Sequence, residues 1–148
     1  MDEHISLSIP LDKDGYLLLQ CPHCKGFFKV LSEDYKSDDV DGLWCPICGL
    51  KSENFWPDKV IELAKAKVLN SCIGDFEKEL ARISASTSRQ SLITLKVSST
   101  SRREHEAEIL PAVDSFVKSE CHFCGKSIKV KPLDKYAGSF CAYCGERM

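Results

Sequence analysis

Cys21-Pro22-His23-Cys24 and Cys45-Pro46-Ile47-Cys48 lie near the start of the chain. Cys121-His122-Phe123-Cys124 and Cys141-Ala142-Tyr143-Cys144 lie near its end. Two Cys-x2-Cys units about twenty residues apart read as one four-thiolate metal site. Two residues between ligands let both sulfurs of a unit reach one tetrahedral ion at about 2.3 Å. The arrangement occurs twice, so two Zn2+ per chain are expected, held by Cys21, Cys24, Cys45 and Cys48 and by Cys121, Cys124, Cys141 and Cys144. An iron–sulfur cluster also takes four thiolates, so another thiolate-bound metal stays open at this point. With every coordination position filled by cysteine, each site is closed, which marks it as structural rather than catalytic.

Working outward, each unit is bracketed by strand signals. Tyr16 to Gln20 leads into Cys21, and Gly26 to Leu31 reads as the returning strand. Asp12-Lys13-Asp14-Gly15 is a turn. Ile5, Leu7 and Ile9 alternate as a short strand would. Ser32 to Gly42 is an acidic excursion carrying Glu33, Asp34, Asp38, Asp39 and Asp41, and Leu43-Trp44 leads into the second pair of ligands. Near the other end, Phe116 to Lys118 reads as the strand that enters the second set.

The two sets align beyond their cysteines. A shift of 100 residues matches Cys21, Cys24, Lys29 and Val30 to Cys121, Cys124, Lys129 and Val130. A shift of 96 matches Trp44, Cys45, Cys48 and Gly49 to Phe140, Cys141, Cys144 and Gly145. The second copy is the first with a shorter excursion. Trp44 and Phe140, just before the third ligand, are placed to cover the metal from one side. A glycine after the second cysteine allows the positive φ of a tight turn. Gly49, Gly125 and Gly145 obey, whereas Lys25 departs, with Gly26 behind it. The first turn is therefore expected to close differently.

Between the sets, Pro57 to Ser84 is the strongest helix signal. Pro57 suits a first helical position, and Asp58 and Glu62 favour the positive end of the helix dipole. Ile61, Ala64, Val68, Cys72, Phe76, Leu80 and Ile83 step by three or four and form one apolar stripe, expected to pack against the ribbon strands. On that stripe Cys72 reads as a small buried residue. Gly74 is a place where the helix can bend. Leu92 to Val97 reads as a strand and Ser98 to Glu108 as a polar linker.

These residues resemble zinc ribbons of the transcription-factor and ribosomal-protein type, over residues 19–49 and 118–146. The wider layout is similar to a group of small bacterial proteins with a zinc ribbon at each end and a helix after the first. In that group an aromatic, a Thr-Pro and acidic residues begin the helix. Here Asn54-Phe55-Trp56-Pro57-Asp58 stands in that place, with Trp56 where the threonine would be. The resemblance implies an α+β fold: two four-cysteine zinc-ribbon β-hairpin modules flanking a long helix and a small strand-rich middle. The segments are 1–50 for the N-terminal ribbon, 51–86 for the helix, 87–115 for strand and linker, and 116–148 for the C-terminal ribbon.

Charge and composition narrow the function classes. The formal net charge is −2, and two zinc–tetrathiolate centres take it to about −6. General affinity of the whole chain for a phosphate backbone is therefore not expected. Met1 to Pro10 is acidic without a long apolar run, so no secretory leader is expected. No stretch approaches a membrane span. A cytoplasmic chain keeps its thiols reduced, which favours metal over disulfides.

His23 and His122 read as exposed residues within their turns and His105 as solvated, and no catalytic constellation or phosphate loop is present. The expectation is a non-enzymatic adaptor that binds another protein. The alternative is nucleic-acid binding on a lysine-rich face of the second ribbon, through Lys126, Lys129, Lys131 and Lys135 with Phe123 and Tyr143.

Overall fold

The computed structural model describes residues 5–37, 42–87, 102–109 and 115–148. The fold is α+β, with antiparallel sheets, a long helix and a cysteine cluster at each end. Its elements fall into two compact units. One comprises residues 8–61 and 109–148, and the other residues 1–7 and 62–108.

In the first unit, β1 (Tyr16–Gln20) pairs antiparallel with β2 (Phe27–Leu31). The one-turn helix α1 (Ser32–Tyr35) follows, then β3 (Leu43–Trp44) and β4 (Lys51–Ser52), which pair with each other. The second copy repeats the order. β5 (Val117–Glu120) pairs with β6 (Ser127–Val130), α3 (Pro132–Ala137) follows, and a Phe140–Arg147 bridge stands where β3 and β4 stand in the first. The helix between the copies is α2 (Asp58–Thr87).

The two hairpins join edge to edge. β2 pairs antiparallel with β6, giving one four-stranded sheet in the order β1-β2-β6-β5. The register sets Lys29 opposite Lys129 and Val30 opposite Ile128. Lys29 and Lys129 are counterparts in the repeat, so a pseudo-twofold axis passes between them and relates one ribbon to the other. The central strands are therefore buried on both faces. On one face Leu17, Leu19, Phe28, Val30, Ile128 and Val130 form the core with Leu43 and Phe55. Phe28 and Phe55 meet edge to face at 5.5 Å, the arrangement the ring quadrupoles favour.

The other face holds the two lysines, 2% and 5% exposed. Buried ammonium groups need counter-charge. Asp12 supplies it: Oδ2 accepts from Lys129 Nζ at 2.8 Å and Lys29 Nζ at 3.3 Å, and Asp14 accepts from Lys129 at 2.7 Å. Asp12 Oδ1 meanwhile accepts from the amides of Asp14 and Tyr16, which folds the 12–15 turn over the sheet. Burial alone would raise the Asp12 pKa, but Lys129, the Tyr16 amide and Lys29 hold it down at about 2. Burial works against the charge of Lys129, yet its two aspartates raise its pKa. The aromatic contacts cross the axis. Lys29 lies over Phe116 and Lys129 over Tyr16, at 5.2 and 4.7 Å from the ring centres, and Tyr16 and Phe116 are themselves counterparts at a shift of 100.

α2 runs unbroken through Gly74 and ends at Thr87, three residues beyond the expected end. Its start is tied to the sheet. Gln20 Oε1 accepts from the Asp58 amide at 3.0 Å, the Gln20 amide donates to the Phe55 carbonyl at 2.8 Å, and Lys25 Nζ lies 3.3 Å from Asp58.

The sequence reading of its packing face does not hold. The buried positions are Val60, Leu63 and Ala66, whereas Val68, Phe76 and Ile83 are about half exposed and Cys72 is exposed. At 100° per residue the buried set lies on the side opposite Cys72. The helix has apolar residues on two sides, and periodicity cannot say which side finds a partner.

Residues 5–10 form no strand, so the Ile5–Ile9 expectation also fails. Residues 102–108 are irregular, and Asn70 grips them: its side chain donates to the Glu104 carbonyl and accepts from the Glu104 amide. The expected Leu92–Val97 strand and Asp38, Asp39 and Asp41 lie outside the described residues.

Candidate metal centres

The two sites are built from four turns of one design. The first cysteine of a turn accepts on its carbonyl from the residue after the second: Lys25 to Cys21, Gly49 to Cys45, Gly125 to Cys121 and Gly145 to Cys141, all at 2.9–3.0 Å. Its own amide donates one residue further on, to Gly26, Leu50, Lys126 and Glu146. This closure requires positive φ. Gly49, Gly125 and Gly145 adopt 71–75°, and Lys25 adopts 59°. Contrary to expectation, the first turn closes like the others, with a lysine bearing the left-handed conformation. Gly26 serves a different need, since a Cβ there would overlap Ile47 Cδ1.

The sulfurs converge. Cys21 and Cys48 Sγ are 3.7 Å apart, as are those of Cys24 and Cys45; in the second set the corresponding pairs are 3.6 and 3.5 Å apart. Within each set all four lie within 4.8 Å of one another. A tetrahedron with metal–sulfur bonds of about 2.3 Å has edges of about 3.8 Å, so both sets fit Zn2+. The chain thus carries two zinc-ribbon-like four-cysteine sites, consistent with two Zn2+ ions.

Backbone amides turn toward the sulfurs: His23 to Cys21, Ile47 and Cys48 to Cys45, and Tyr143 to Cys141, each at 3.4 Å. Such donors offset thiolate charge.

As free thiols, the first and third cysteines of each set shift in opposite directions. Burial acts to raise Cys121, but the amides of Cys124 and Phe123 outweigh it and bring it to about 7. Cys21 is lowered in the same way by the amides of Cys24 and His23. Cys45 and Cys141 are pushed up by burial. The same directions recur at the matched pairs Cys21–Cys121 and Cys45–Cys141.

Trp44 and Phe140 also make contacts outside their own ribbons. Each reaches across the pseudo-twofold to the other ribbon. A Cβ on Gly145 would lie 2.8 Å from Trp44 Cδ2, and one on Gly49 3.1 Å from Phe140 Cε2. The Trp44 amide donates to the Ala142 carbonyl and the Phe140 amide to the Pro46 carbonyl, both at 2.9 Å. Each aromatic therefore packs on the last metal-site turn of its counterpart. The glycines at 49 and 145 serve twice, for their φ and for this close approach. Sequence spacing located the aromatics but carried no signal for the exchange.

The lysines proposed as a nucleic-acid face meet different surroundings. Lys129 is withdrawn into the ion cluster with Asp12 and Asp14. Lys126 lies over the Tyr143 ring at 4.9 Å, and Lys135 donates to the Lys118 carbonyl at 3.0 Å. Lys131 is exposed, as are His23, His105 and His122. Comparison with family models, with curated proteins and with solved structures finds no match for this chain.

Proposed function

We propose that the chain is a non-enzymatic zinc-binding adaptor whose second ribbon docks on another protein. The reading rests on one observation above others. The thiolates are committed to two closed sites, while Phe123, Leu133 and Tyr136 of the second ribbon stand 69%, 78% and 91% exposed. Large side chains with apolar bodies suit a protein partner. Closed sites leave no position for substrate, and eight reduced thiols suit the cytoplasm. No described helix is long and apolar enough to cross a membrane.

Affinity capture with the zinc-loaded protein tests the reading. Partner capture should fall with Leu133→Ser and Tyr136→Ser while zinc content stays at two. Band shifts at about 50 and 200 mM salt test the alternative, because phosphate contacts weaken steeply with salt. Tight, salt-sensitive binding of an oligonucleotide, lost on Lys126→Ala with Lys131→Ala, overturns the adaptor in favour of a nucleic-acid-binding ribbon.

A further inference from the structure

The side of α2 centred on Cys72 carries an apolar stripe that the described residues leave exposed. Val68, Leu69 and Phe76 are 48%, 46% and 59% exposed. The opposite side is engaged. Lys67 donates to the Ser6 carbonyl, Asn70 binds Glu104 and Glu106, and Glu77 pairs with Arg103.

The exposed side has an order that a single copy does not use: apolar residues stand at matching distances on either side of Cys72. Four residues either way stand Val68 and Phe76, and eight either way stand Ala64 and Leu80. At 100° per residue all of these lie within about 80° of Cys72. The charges are arranged in the opposite sense. Seven residues either way stand Lys65 and Glu79, and ten either way stand Glu62 and Arg82, each pair of opposite sign.

We propose that this face binds the same face of a second copy, antiparallel, with the twofold axis at Cys72. Antiparallel pairing about that point sets residue 72 + k against residue 72 − k. Phe76 then meets Val68 of the second copy, Leu80 meets Ala64, and Cys72 meets itself. Large side chains fall opposite small ones at Phe76–Val68 and Leu80–Ala64, which lets the ridges interdigitate. Lys65 faces Glu79, and Glu62 faces Arg82.

Glu79 and Arg82 already pair along their own helix, so pairing makes an alternating four-charge network at each end. Parallel pairing would instead set Lys65 on Lys65 and Glu79 on Glu79. Leu69 falls opposite Asp75, the one unfavourable match, and Lys78 already sits 3.2 Å from that carboxylate. An interface of this length buries on the order of 1,000 Å², the low end for specific complexes, so the dimer should be reversible and dependent on concentration.

Sedimentation equilibrium of the zinc-loaded full chain tests this. The wild type should approach twice its 16.6 kDa as concentration rises. Lys65→Glu alone sets glutamate against Glu79, and Glu79→Lys alone sets lysine against Lys65. Each should weaken self-association about tenfold, since two symmetric contacts turn from attraction to repulsion. An equimolar mixture of the two variants should associate as well as the wild type, because both contacts are then restored between unlike chains.

Zinc content of two in each variant confirms folding. A wild type that stays monomeric overturns the proposal, which would mean that another segment or a different partner covers the face. A mixture no better than its components overturns it too, because the antiparallel register demands rescue.

Discussion

β1 and β5 hold the same place in the pseudo-twofold and meet opposite surroundings. β1 is Tyr-Leu-Leu-Leu-Gln, largely buried, and the chain entering α2 passes along it through the Gln20–Phe55 hydrogen bond. β5 is Val-Lys-Ser-Glu, with Lys118 and Glu120 less enclosed than their counterparts in β1, although both strands end the sheet. Charged residues on an outer strand deter pairing with another chain. The first ribbon thus receives the chain that enters α2, while the outer strand of the second carries charge. The same division appears beside the metal turns. Gly26 and Ile47 pack tightly in the first ribbon, while the matching Lys126 and Tyr143 form a cation–ring contact in the second.

What the two ribbons share can be broken most severely at the metal. Structural zinc in small domains binds with about 10–16 kcal/mol, which is folding energy. Because β2 and β6 lie in one sheet, Cys45→Ser should release zinc from both sites on titration with a chelator, and Cys141→Ser should do the same. Elemental analysis and chelator competition measure it. Retention of one zinc at wild-type affinity in either variant would show that the ribbons fold independently.

The next effect lies on the axis. Asp12→Asn removes a charge shared by two buried lysines, and should cost about 3 kcal/mol in denaturant unfolding. The sign with pH follows from the depressed pKa. The contribution is complete above the ordinary 3.8 and fades as pH falls toward about 2. The gap between wild type and variant should therefore be constant from about pH 6 to 8, while zinc affinity rises over that range as thiols deprotonate. A gap that changes across neutral pH would point to another titrating group.

The smallest expected effect sharpens the exchange of aromatics. Trp44→Ala and Phe140→Ala should each cost about 2 kcal/mol, less than a fully buried aromatic. The diagnostic is which metal is lost faster. Trp44→Ala should speed zinc loss from the Cys121 set, and Phe140→Ala from the Cys21 set. Stopped-flow chelation in backgrounds with one site cobalt-loaded distinguishes them. Faster loss from the variant's own ribbon would mean that the aromatics cover their own metal after all.

Much of this is legible in the sequence. Both ligand sets, the hairpins around them, the repeat and the long helix follow from spacing and period, because a tetrahedral ion and a 3.6-residue turn impose local rules. The turn at Lys25 departs from the glycine rule because that rule describes a preference. The hydrogen bond from the Lys25 amide to Cys21 outweighs the cost of a left-handed lysine.

The remaining features depended on contacts between residues far apart in the chain. The alignment matched Lys29 to Lys129, but nothing local says that the two strands pair with each other. That pairing turns a lysine expected on the surface into a buried one, brings Asp12 over it, and sends Trp44 and Phe140 to opposite ribbons. The helix shows the same limit, since its apolar stripe was correctly read as apolar and wrongly read as covered. The ligand spacing alone was enough to establish the two closed metal sites, because coordination geometry acts over a few residues. Only the tertiary structure decided that the two ribbons are halves of one sheet, because burial depends on which surfaces meet.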